Sequence, residues 1–329
     1  MKEQLLKLLA LFPKRRIAVV GDLIVDEFLY GRISRVSREA PVLVLEYRNL
    51  IRLPGGAANA ANNLLDLGCA VTLSGIVGED GPGNDLASML KNKGANIRPL
   101  VRHRNFVTPV KTRILAGANH SAPQQIVRVD RLQSNSESVQ IPWNTLKQTL
   151  KSADGIIVSD YGYGAINSTL FQNLRLMAEE YKMPLVVDSR FNMSGFIGAT
   201  AITPNITELE ASTGIPIGED AALLSKVGRR VLRQQRLRSL LVTQGRFGMT
   251  LLEPRKAPLH IPIYGTDEVA DVTGAGDTVI SVYTLALACG AKPEYAAHLA
   301  NFAGGIVVMK RGTATLTLDE LAAAVREGR

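Results

Sequence analysis

The chain has 329 residues, of which 46% are hydrophobic and 21% are charged, and its two cysteines and four histidines are scattered. Such a composition supports a large buried core, as one big domain or two modest ones. The cysteine spacing argues against a disulfide scaffold and against a Cys/His zinc site. No run of about 20 apolar residues occurs, which argues against a membrane span, so we expect a cytoplasmic protein.

The net charge of +8 is compatible with an anionic partner. The densest basic run, KVGRRVLRQQRLRS (226–239), contains Val227, Val231 and Leu232 at the spacing of an amphipathic helix. No aromatic residues are interleaved for base stacking, so we do not expect nucleic acid as a partner. A modest positive field suits phosphorylated small molecules.

The first segment, MKEQLLKLLALFPKRR, predicts an N-terminal amphipathic helix and not a signal peptide, because lysines interrupt its apolar run. Beyond it, apolar runs of strand length alternate with helical segments. The runs are RIAVVGD, VTLSGIVG, GIIVSD, PLVVD, AITPN and LLVTQG. Runs of this kind are typical of a mostly parallel sheet that helices cover on both faces, so the predicted class is a doubly wound α/β fold.

Acidic or polar residues close these predicted strands. They are Asp22, Asp160, Asp188, Asn205 and Gln244. Ligands of open α/β sheets bind beyond the carboxyl ends of the strands, so we expect these residues to surround one cleft.

Two insertions interrupt the alternation, at 40–54 and 108–132. Both have β-type patterns without helices between them, and the second predicts a hairpin around GANHSAP. They predict a small antiparallel sheet beside the core. Such a sheet exposes one face, which must cover a ligand, pair with another subunit, or both.

Glycines and small residues precede a predicted helix in PGGAANAANNLLDLG. Gly55 and Gly56 would let a polar ligand lie against the backbone, and Asn59 could offer its amide to hydroxyl groups. The alternative is a glycine turn followed by a closely packed helix.

Two further motifs suit a nucleotide and its metal ion. In TPNITELE, Asn205 and Glu208 are three residues apart and can hold the water shell of Mg²⁺, although capping of a helix by Asn205 is the alternative. In VTQGRFGM, Thr243, Gly245 and Gly248 could line a nucleotide, and a plain hairpin turn explains the same pattern.

The segment DVTGAGDT (271–278) directly precedes an apolar run with helical spacing. It predicts that Gly274, Ala275 and Gly276 lie at a helix N-terminus, where N–H groups and the helix dipole favour an anion such as phosphate. Asp277 would stand beside that phosphate, where a carboxylate can take a proton from an attacking hydroxyl. The alternative is an acidic residue in a first helical turn without a chemical role.

In this order, the motifs resemble those of the ribokinase-like, or phosphofructokinase-B type, sugar kinases. The resemblance covers nearly the whole chain, from AVVGDLIVD to DVTGAGDT. GRISRVSREAPVLVLE, RLPGGAANAANNL and GGIVVMKRGTATLT are most similar to the members that phosphorylate O1 of D-glycero-D-manno-heptose 7-phosphate, on the route to ADP-heptose. The resemblance implies one ribokinase-like domain over 1–329, with a small antiparallel β lid from insertions at about 28–54 and 105–132.

The resemblance also implies a role for each motif. Asp277 would be the catalytic base, and the amides of Gly274, Ala275 and Gly276 would form the anion hole for the transferring phosphoryl group. The residues implied for the sugar are Asp26, Gly55, Gly56 and Asn59. The residues implied for ATP and Mg²⁺ are Asn205 and Glu208, which would hold the metal through water, with Thr243, Gly245, Gly248, Thr273 and Asn301. A monovalent cation is a further candidate cofactor.

The sequence departs from the heptose kinases in two loops. These kinases have a lysine in the loops that here are SDYGYG and VVDSR, so Tyr163 and the Ser189–Arg190 pair take the places of expected residues. A substrate with a remote phosphate needs a cation to hold it. The candidates are Arg190, Lys111, Arg113 and Arg128. If none of them serves, another sugar becomes the expected substrate.

The resemblance implies a homodimer formed through the lid. The heptose enzyme is often fused to a nucleotidyltransferase, and we expect a separate protein to supply that adenylyltransferase activity here. Two alternatives stay open: a kinase of the same fold for another sugar, sugar phosphate or nucleoside, and a binding regulator without catalysis. Asp277 argues against the regulator, because a binder gains nothing from a carboxylate beside a phosphate.

Overall fold

The structure is a computed structural model that describes residues 1–117, 123–132, 139–265 and 271–328. Within these ranges the helices are α1 Lys2–Leu9, α2 Ala57–Asp66, α3 Gly81–Asn92, α4 Trp143–Leu150, α5 Ser168–Glu180, α6 Ile206–Thr213, α7 Ala221–Gln234, α8 Ala275–Ala288, α9 Pro293–Val308 and α10 Leu318–Glu327. The strands are β1 Arg16–Gly21, β2 Leu23–Val36, β3 Leu43–Gly56, β4 Ala70–Ser74, β5 Ile76–Gly78, β6 Val101–His103, β7 Val110–Gly117, β8 Gln124–Arg131, β9 Gly155–Asp160, β10 Leu185–Ser189, β11 Ala201–Ile202, β12 Ser239–Thr243, β13 Met249–Leu252 and β14 Leu259–Ile261.

The large sheet has eight strands in the order β14-β13-β12-β11-β10-β9-β1-β4. The six strands from β12 to β4 are parallel, and β13 and β14 continue the sheet in antiparallel pairing. The parallel strands are buried on both faces, which explains their continuous apolar runs. The predicted mostly parallel α/β sheet is confirmed.

Helices cover both faces of this sheet. Along β1, Ile17 and Val19 belong to a core cluster that includes α1, α2, α8, α9 and α10. Ala18 and Val20 belong to a second cluster with α4, α5 and α7. Successive side chains of a strand point to opposite faces, so the alternation in β1 confirms the doubly wound arrangement.

The second sheet has four strands in the order β3-β2-β7-β8. The pairs β2/β3 and β7/β8 are antiparallel, as expected of two hairpins, and the central pair β2/β7 is parallel. Only Asp22 separates the end of β1 from the start of β2 at Leu23, so the chain passes directly from the core sheet into the second sheet. In the predicted GANHSAP turn, residues 118–122 lie outside the described ranges.

One predicted strand is wrong. VTLSGIVG forms two strands that belong to different sheets, since β4 ends at Ser74 and β5 pairs with β6. The break is at Gly75, where a Cβ atom would lie 2.5 Å from the carbonyl oxygen of Gly21. The chain therefore turns at a backbone contact that is too close for a side chain, and an apolar pattern alone does not reveal such a contact.

The predicted N-terminal helix is confirmed as α1. At the C-terminal end, α9 begins at Pro293, and Thr317 and Glu320 form a capping box at α10. α7 buries Val227, Val231 and Leu232, as its amphipathic pattern indicates. In the described part of the chain, no helix is both long enough and apolar enough to cross a membrane.

Candidate active site

A cavity of about 550 Å³ lies at the carboxyl ends of the core strands, beside the second sheet. Of the polar residues that close the strands, Asp160, Asp188 and Asn205 line it. Asp22 has a different position, because its carboxylate accepts the backbone N–H groups of Tyr161, Tyr163 and Ala165. The side chain of Gln244 accepts the hydroxyl proton of Thr250. The expected cleft is therefore present, and Asp22 shapes one of its loops.

Most of the predicted site residues line this one cavity. They are Asp26, Gly56, Lys111, Arg113, Arg128, Arg190, Asn205, Glu208, Thr243, Gly245, Gly248, Thr273, Gly274, Ala275, Gly276, Asp277 and Asn301. Gly55 and Asn59 lie next to this lining. A Cβ atom on Gly55 would be 2.5 Å from the Asp26 carboxylate, and the Asn59 amide donates to Asp277.

Asp277 is in the first turn of α8, which begins at Ala275 after the cap residue Gly274. Gly274 has φ 80°, and a Cβ atom there would lie 2.5 Å from the amide nitrogen of Asn59, so only glycine suits this position. The N–H of Ala275 donates to the carbonyl of Val272 at 3.2 Å. That amide already has a partner, which weakens the prediction that it belongs to an anion hole.

Both carboxylate oxygens of Asp277 accept hydrogen bonds. The amide of Asn59 donates to Oδ2 at 2.9 Å, and the hydroxyl of Tyr161 donates to Oδ1 at 3.1 Å. The side chain is 3% exposed. Burial raises the pKa of Asp277 to about 7, and the two hydrogen bonds partly oppose this shift. A carboxyl group with a pKa near neutrality is suited to general-base catalysis.

The contacts of Asn59 differ from the sequence prediction. We expected its amide to face sugar hydroxyls, but Asn59 is fully buried and donates to Asp277. Its own oxygen accepts from Asn63, and the oxygen of Asn63 accepts from Thr278. This chain of hydrogen bonds joins α2 to the first turn of α8, and so it fixes the base relative to the glycine turn.

Asp26, on β2, is held from two sides. Arg113 of β7 donates to its Oδ1 at 2.6 Å, and Thr313 donates to its Oδ2 at 3.1 Å. The carboxylate lines the cavity, and each of its oxygens can accept a further hydrogen bond from a ligand hydroxyl. The predicted role in sugar binding is compatible with this geometry.

Basic side chains gather at the same end of the cavity. Lys111 is 7% exposed, and its Nζ lies 4.7 Å from the centre of the Tyr161 ring. Burial lowers the pKa of Lys111. Arg128 donates twice to Asp130, at 2.8 and 3.0 Å, and the guanidinium of Arg190 lies 5.8 Å from the centre of the Phe191 ring.

Asn205 and Glu208 form a capping box at the start of α6. The side chain of Asn205 accepts from the Glu208 N–H at 2.8 Å, and the Glu208 carboxylate accepts from the Asn205 N–H at 2.9 Å. Capping, the alternative for this motif, is therefore present. Both side chains nevertheless line the cavity, so capping does not remove them from the site.

A second acidic side chain interacts with Glu208 of this capping box. Asp188 lines the cavity, and its pKa is raised well above the usual range by burial and by the charge of Glu208. Among the described residues, no group of three or more His, Cys, Asp or Glu side chains is placed to hold a metal ion. Mg²⁺ usually keeps several waters and contacts one or two carboxylates, a mode that the single carboxylate of Glu208 fits, with the amide oxygen of Asn205 beside it.

The other end of the cavity is formed by the residues predicted for the nucleotide. Gly245 begins a short 3₁₀ turn, and a Cβ atom on Gly248 would lie 2.1 Å from the carbonyl oxygen of Ile261. Asn301 of α9 donates its amide to the carbonyl of Pro262 at 2.8 Å. This bond orients the Asn301 side chain at the cavity wall.

Tyr161 and Thr313 are functional candidates that the sequence analysis did not single out. Tyr161 lies in the SDYGYG loop, and Thr313 lies in the segment after α9. The strand end at Asp160 signals the first loop, but no spacing rule indicates which tyrosine turns inward. Thr313 reaches Asp26 across 287 residues, a distance over which local patterns carry no information.

Comparison with known proteins gives the family. A family model described as pfkB family carbohydrate kinase matches residues 14–320. A curated protein named Bifunctional protein HldE, from Trichlorobacter lovleyi, is 41% identical over 312 residues, which is 93% of this chain and 62% of that protein. A protein of the same name from Citrifermentans bemidjiense is 42% identical over 318 residues, 95% of this chain and 64% of its own length. The chain thus spans less than two thirds of the length of these relatives.

Solved structures show the same fold. Arabidopsis thaliana ribokinase, in complex with ribose and ATP, matches with a TM-score of 0.75 at 18% identity, over 95% of this chain and 99% of the ribokinase. Escherichia coli phosphofructokinase-2, in complex with substrates and products, matches with a TM-score of 0.75 at 16% identity, over 95% and 99% of the two chains. These likenesses establish a ribokinase-like fold, and the matched family model establishes that the chain belongs to the pfkB family of carbohydrate kinases.

Proposed function

We propose that this chain transfers the γ-phosphate of ATP to a sugar hydroxyl, with Asp277 as the base. The position of Asp277 carries the proposal. Its buried carboxylate, with a pKa of about 7, lies in the first turn of α8 inside the cavity. A base that must be ionised near neutral pH and a helix N-terminus that attracts phosphate are thereby brought together.

The proton and the phosphoryl group would move as follows. The Asp277 carboxylate takes the proton of the sugar hydroxyl, and the sugar oxygen forms a bond to the γ-phosphorus as the bond to the β,γ-bridging oxygen of ATP breaks. Gly274 and Gly276, beside Asp277, let the phosphoryl oxygens approach the backbone N–H groups of the first turn. The products are ADP and a sugar phosphate.

ATP and Mg²⁺ are the cofactors of this proposal. Bound Mg²⁺ would neutralise charge on the ATP phosphates. Asn205 and Glu208 would hold its water shell, and a cation there would favour the ionised forms of Glu208 and Asp188, whose pKa values burial raises. The adenosine end of ATP would lie along Thr243, Gly245 and Asn301, with Gly248 and Thr273 nearby in the same cavity lining.

We further propose D-glycero-D-manno-heptose 7-phosphate as the acceptor, phosphorylated at O1. The sequence segments that resemble heptose kinases support this choice, and the bifunctional relatives fit a kinase that is often fused to a second enzyme. The basic side chains support it too. Arg113 and Arg128 are paired with carboxylates, whereas Lys111 and Arg190 lie over aromatic rings and can turn to a remote phosphate.

An ADP-release assay over a panel of acceptors tests this function. The panel contains the heptose 7-phosphate, the unphosphorylated heptose, fructose 6-phosphate, ribose and adenosine, and phosphorus NMR identifies the new phosphate. We expect the highest kcat/KM with the heptose 7-phosphate and a product phosphorylated at O1. Preference for another acceptor would overturn the heptose proposal and leave the kinase. ADP release that no acceptor stimulates would overturn the kinase and favour a binding regulator.

A further inference from the structure

Tyr161 connects the catalytic carboxylate to the wall of the cavity. It follows β9, and its hydroxyl donates to Oδ1 of Asp277 at 3.1 Å. Burial and the nearby Asp277 charge raise the pKa of Tyr161 well above its usual range. The phenol therefore stays protonated and acts as a hydrogen-bond donor.

The position of the Tyr161 side chain is fixed from several directions. The buried Asp22 carboxylate accepts the N–H of Tyr161 at 2.7 Å and that of Tyr163 at 3.0 Å, which anchors the loop. Lys111 of β7 lies 4.7 Å from the centre of the Tyr161 ring on one side. The Tyr163 ring stacks on Tyr161 with centres 6.5 Å apart. A hydroxyl held this firmly can orient the carboxylate that it contacts.

The hydrogen bonds of Asp277 leave room for a substrate. Asn59 occupies one site on Oδ2, and Tyr161 occupies one site on Oδ1. A carboxylate has about four acceptor sites, so each oxygen can still accept a hydroxyl. The charged or titratable groups that face Asp277 are Asp26 from β2, Lys111 from β7, Tyr161 and Asp188.

We propose that Tyr161 is a positioning residue that fixes Oδ1 of Asp277 and stabilises its ionised form, so that the carboxylate is ready to accept the proton of the sugar hydroxyl. This inference rests on the proposed function, in which Asp277 is the base. Asp26 and Asp188 oppose the negative charge on Asp277, and burial opposes it most. The hydrogen bonds from Asn59 and Tyr161, and after them the charge of Lys111, favour the ionised form.

The test compares Tyr161→Phe with the wild type in the pH dependence of kcat/KM for the sugar. The variant keeps the ring and removes the donor. Loss of a hydrogen bond to a charged group changes the pKa of that group by about one unit. The acidic limb of the pH profile of kcat/KM should therefore shift to higher pH by about one unit. At pH 6.5, kcat/KM should fall roughly tenfold, while the KM for ATP stays within about twofold of the wild type.

Tyr283→Phe is the matched control. Tyr283 is on α8 together with Asp277, is fully buried, and shares a hydrogen bond of 2.8 Å with the Ser239 hydroxyl. Tyr283→Phe removes a phenol oxygen close to the helix that carries Asp277 but removes no hydrogen bond to Asp277, so we expect stability to fall and the acidic limb to stay in place. An equal shift of the limb in both variants would show a general loss of packing and would overturn the positioning role.

Site-specific 3-fluorotyrosine at position 161 keeps the test decisive if Tyr161→Phe does not fold. This change strengthens the phenol as a donor, so the acidic limb should move to lower pH. A limb that superimposes on the wild type would overturn the inference. Asp277→Asn, assayed in parallel, separates the two proposals. If it abolishes turnover while changes at Tyr161 leave the limb in place, only this inference fails, whereas near-normal turnover of Asp277→Asn would remove both.

Discussion

The ionised carboxylate of Asp277 costs the folded protein free energy. Its pKa is raised to about 7 by burial, while an aspartate in an unfolded chain has a pKa of about 3.9. The folded state therefore holds a proton that the unfolded state has lost between about pH 4 and pH 7. Protonation of Asp277 therefore stabilises the folded state fully below about pH 4, and this stabilisation is lost as the pH rises through 7. The raised pKa that suits Asp277 to act as a base therefore also lowers the stability of the folded protein near neutral pH.

Asp277→Asn removes this cost, because asparagine has no charge to bury. We expect the variant to be more stable than the wild type at pH 8, by on the order of 4 kcal/mol. The gain should grow by roughly 2 kcal/mol between pH 5 and pH 7. Urea unfolding of both proteins over this range measures it. A gain that does not change with pH would contradict the raised pKa.

Arg190 offers a second prediction at the scale of single residues. It follows β10 at the basic end of the cavity, and Arg246 lies in the turn at the nucleotide end. Loss of a charge-assisted hydrogen bond costs enough to raise KM about tenfold or more. We expect Arg190→Ala to raise KM for the phosphorylated sugar by this factor and to leave KM for ATP nearly unchanged.

Arg246→Ala is the control for Arg190→Ala. Because the Arg246 side chain extends from the nucleotide loop, this variant should raise KM for ATP and not KM for the sugar. Steady-state kinetics with each substrate varied in turn measures both KM values in both variants. If Arg190→Ala raises KM for ATP instead, Arg190 faces the nucleotide, and the remote phosphate must be held by Lys111 or another basic residue of the cavity.

The start of α6 combines two roles in one element. Asn205 and Glu208 cap the helix, and we propose that they also hold the water shell of Mg²⁺. The double variant Asn205→Ala with Glu208→Ala should weaken the dependence on Mg²⁺ more than it weakens sugar binding. We expect a several-fold rise in the Mg²⁺ concentration for half-maximal rate at saturating sugar, measured by metal titration.

A matched control separates capping from metal binding. The capping box at α10, Thr317 with Glu320, has the same geometry at another helix. Thr317→Ala with Glu320→Ala should cost about 1 kcal/mol for the lost cap, together with the ion pair between Lys310 and Glu320, and should leave the Mg²⁺ titration unchanged. Equal titrations for wild type and both double variants would assign Asn205 and Glu208 to capping alone.

At the level of elements, the sequence predicted helices and buried strands because periodicity and caps are local. The Asn205–Glu208 spacing, for example, indicated both a cap and a metal site, and the cap was found. Contacts between distant segments were not predicted. The amide of Asn59 turns to Asp277, 218 residues away, and VTLSGIVG splits where Gly75 meets Gly21. Such contacts depend on how elements pack, and a single sequence does not record them.

The second sheet suggests how whole molecules associate. β8 is an edge strand whose residues are all exposed, and β3 forms the opposite edge. Exposed edges with apolar side chains need cover in solution. We propose a homodimer through this sheet. Val129→Lys, at a side chain that is 53% exposed on β8, should convert dimer to monomer, because burying a lysine is costly.

Light scattering at micromolar concentration measures the assembly. Leu176→Lys is the control, since this residue of α5 is 55% exposed and lies away from the second sheet. It should leave the dimer intact. A wild type that is monomeric, or a dimer that Val129→Lys does not disturb, would contradict the proposed interface.

For the whole molecule, strand ends and motif order predicted a single cleft, and the structure brings almost every predicted residue to it. This success follows from topology, because parallel strands carry their carboxyl ends to one edge of the sheet. The identity of the sugar is harder to predict from the sequence. Recognition of a phosphorylated sugar requires a basic side chain that can bind the phosphate, and the candidates are Lys111, Arg113, Arg128 and Arg190. Ion pairs with neighbouring carboxylates decide which of them can do so.

Sugar-dependent ADP release by Asp277→Asn is the most direct test of the proposed mechanism. The substitution keeps the shape of the side chain and removes its ability to accept a proton. Turnover at saturating ATP and sugar should fall by about 10²–10⁴-fold, the usual contribution of a general base, while ATP still binds. Turnover close to that of the wild type would contradict the assignment of Asp277 as the base.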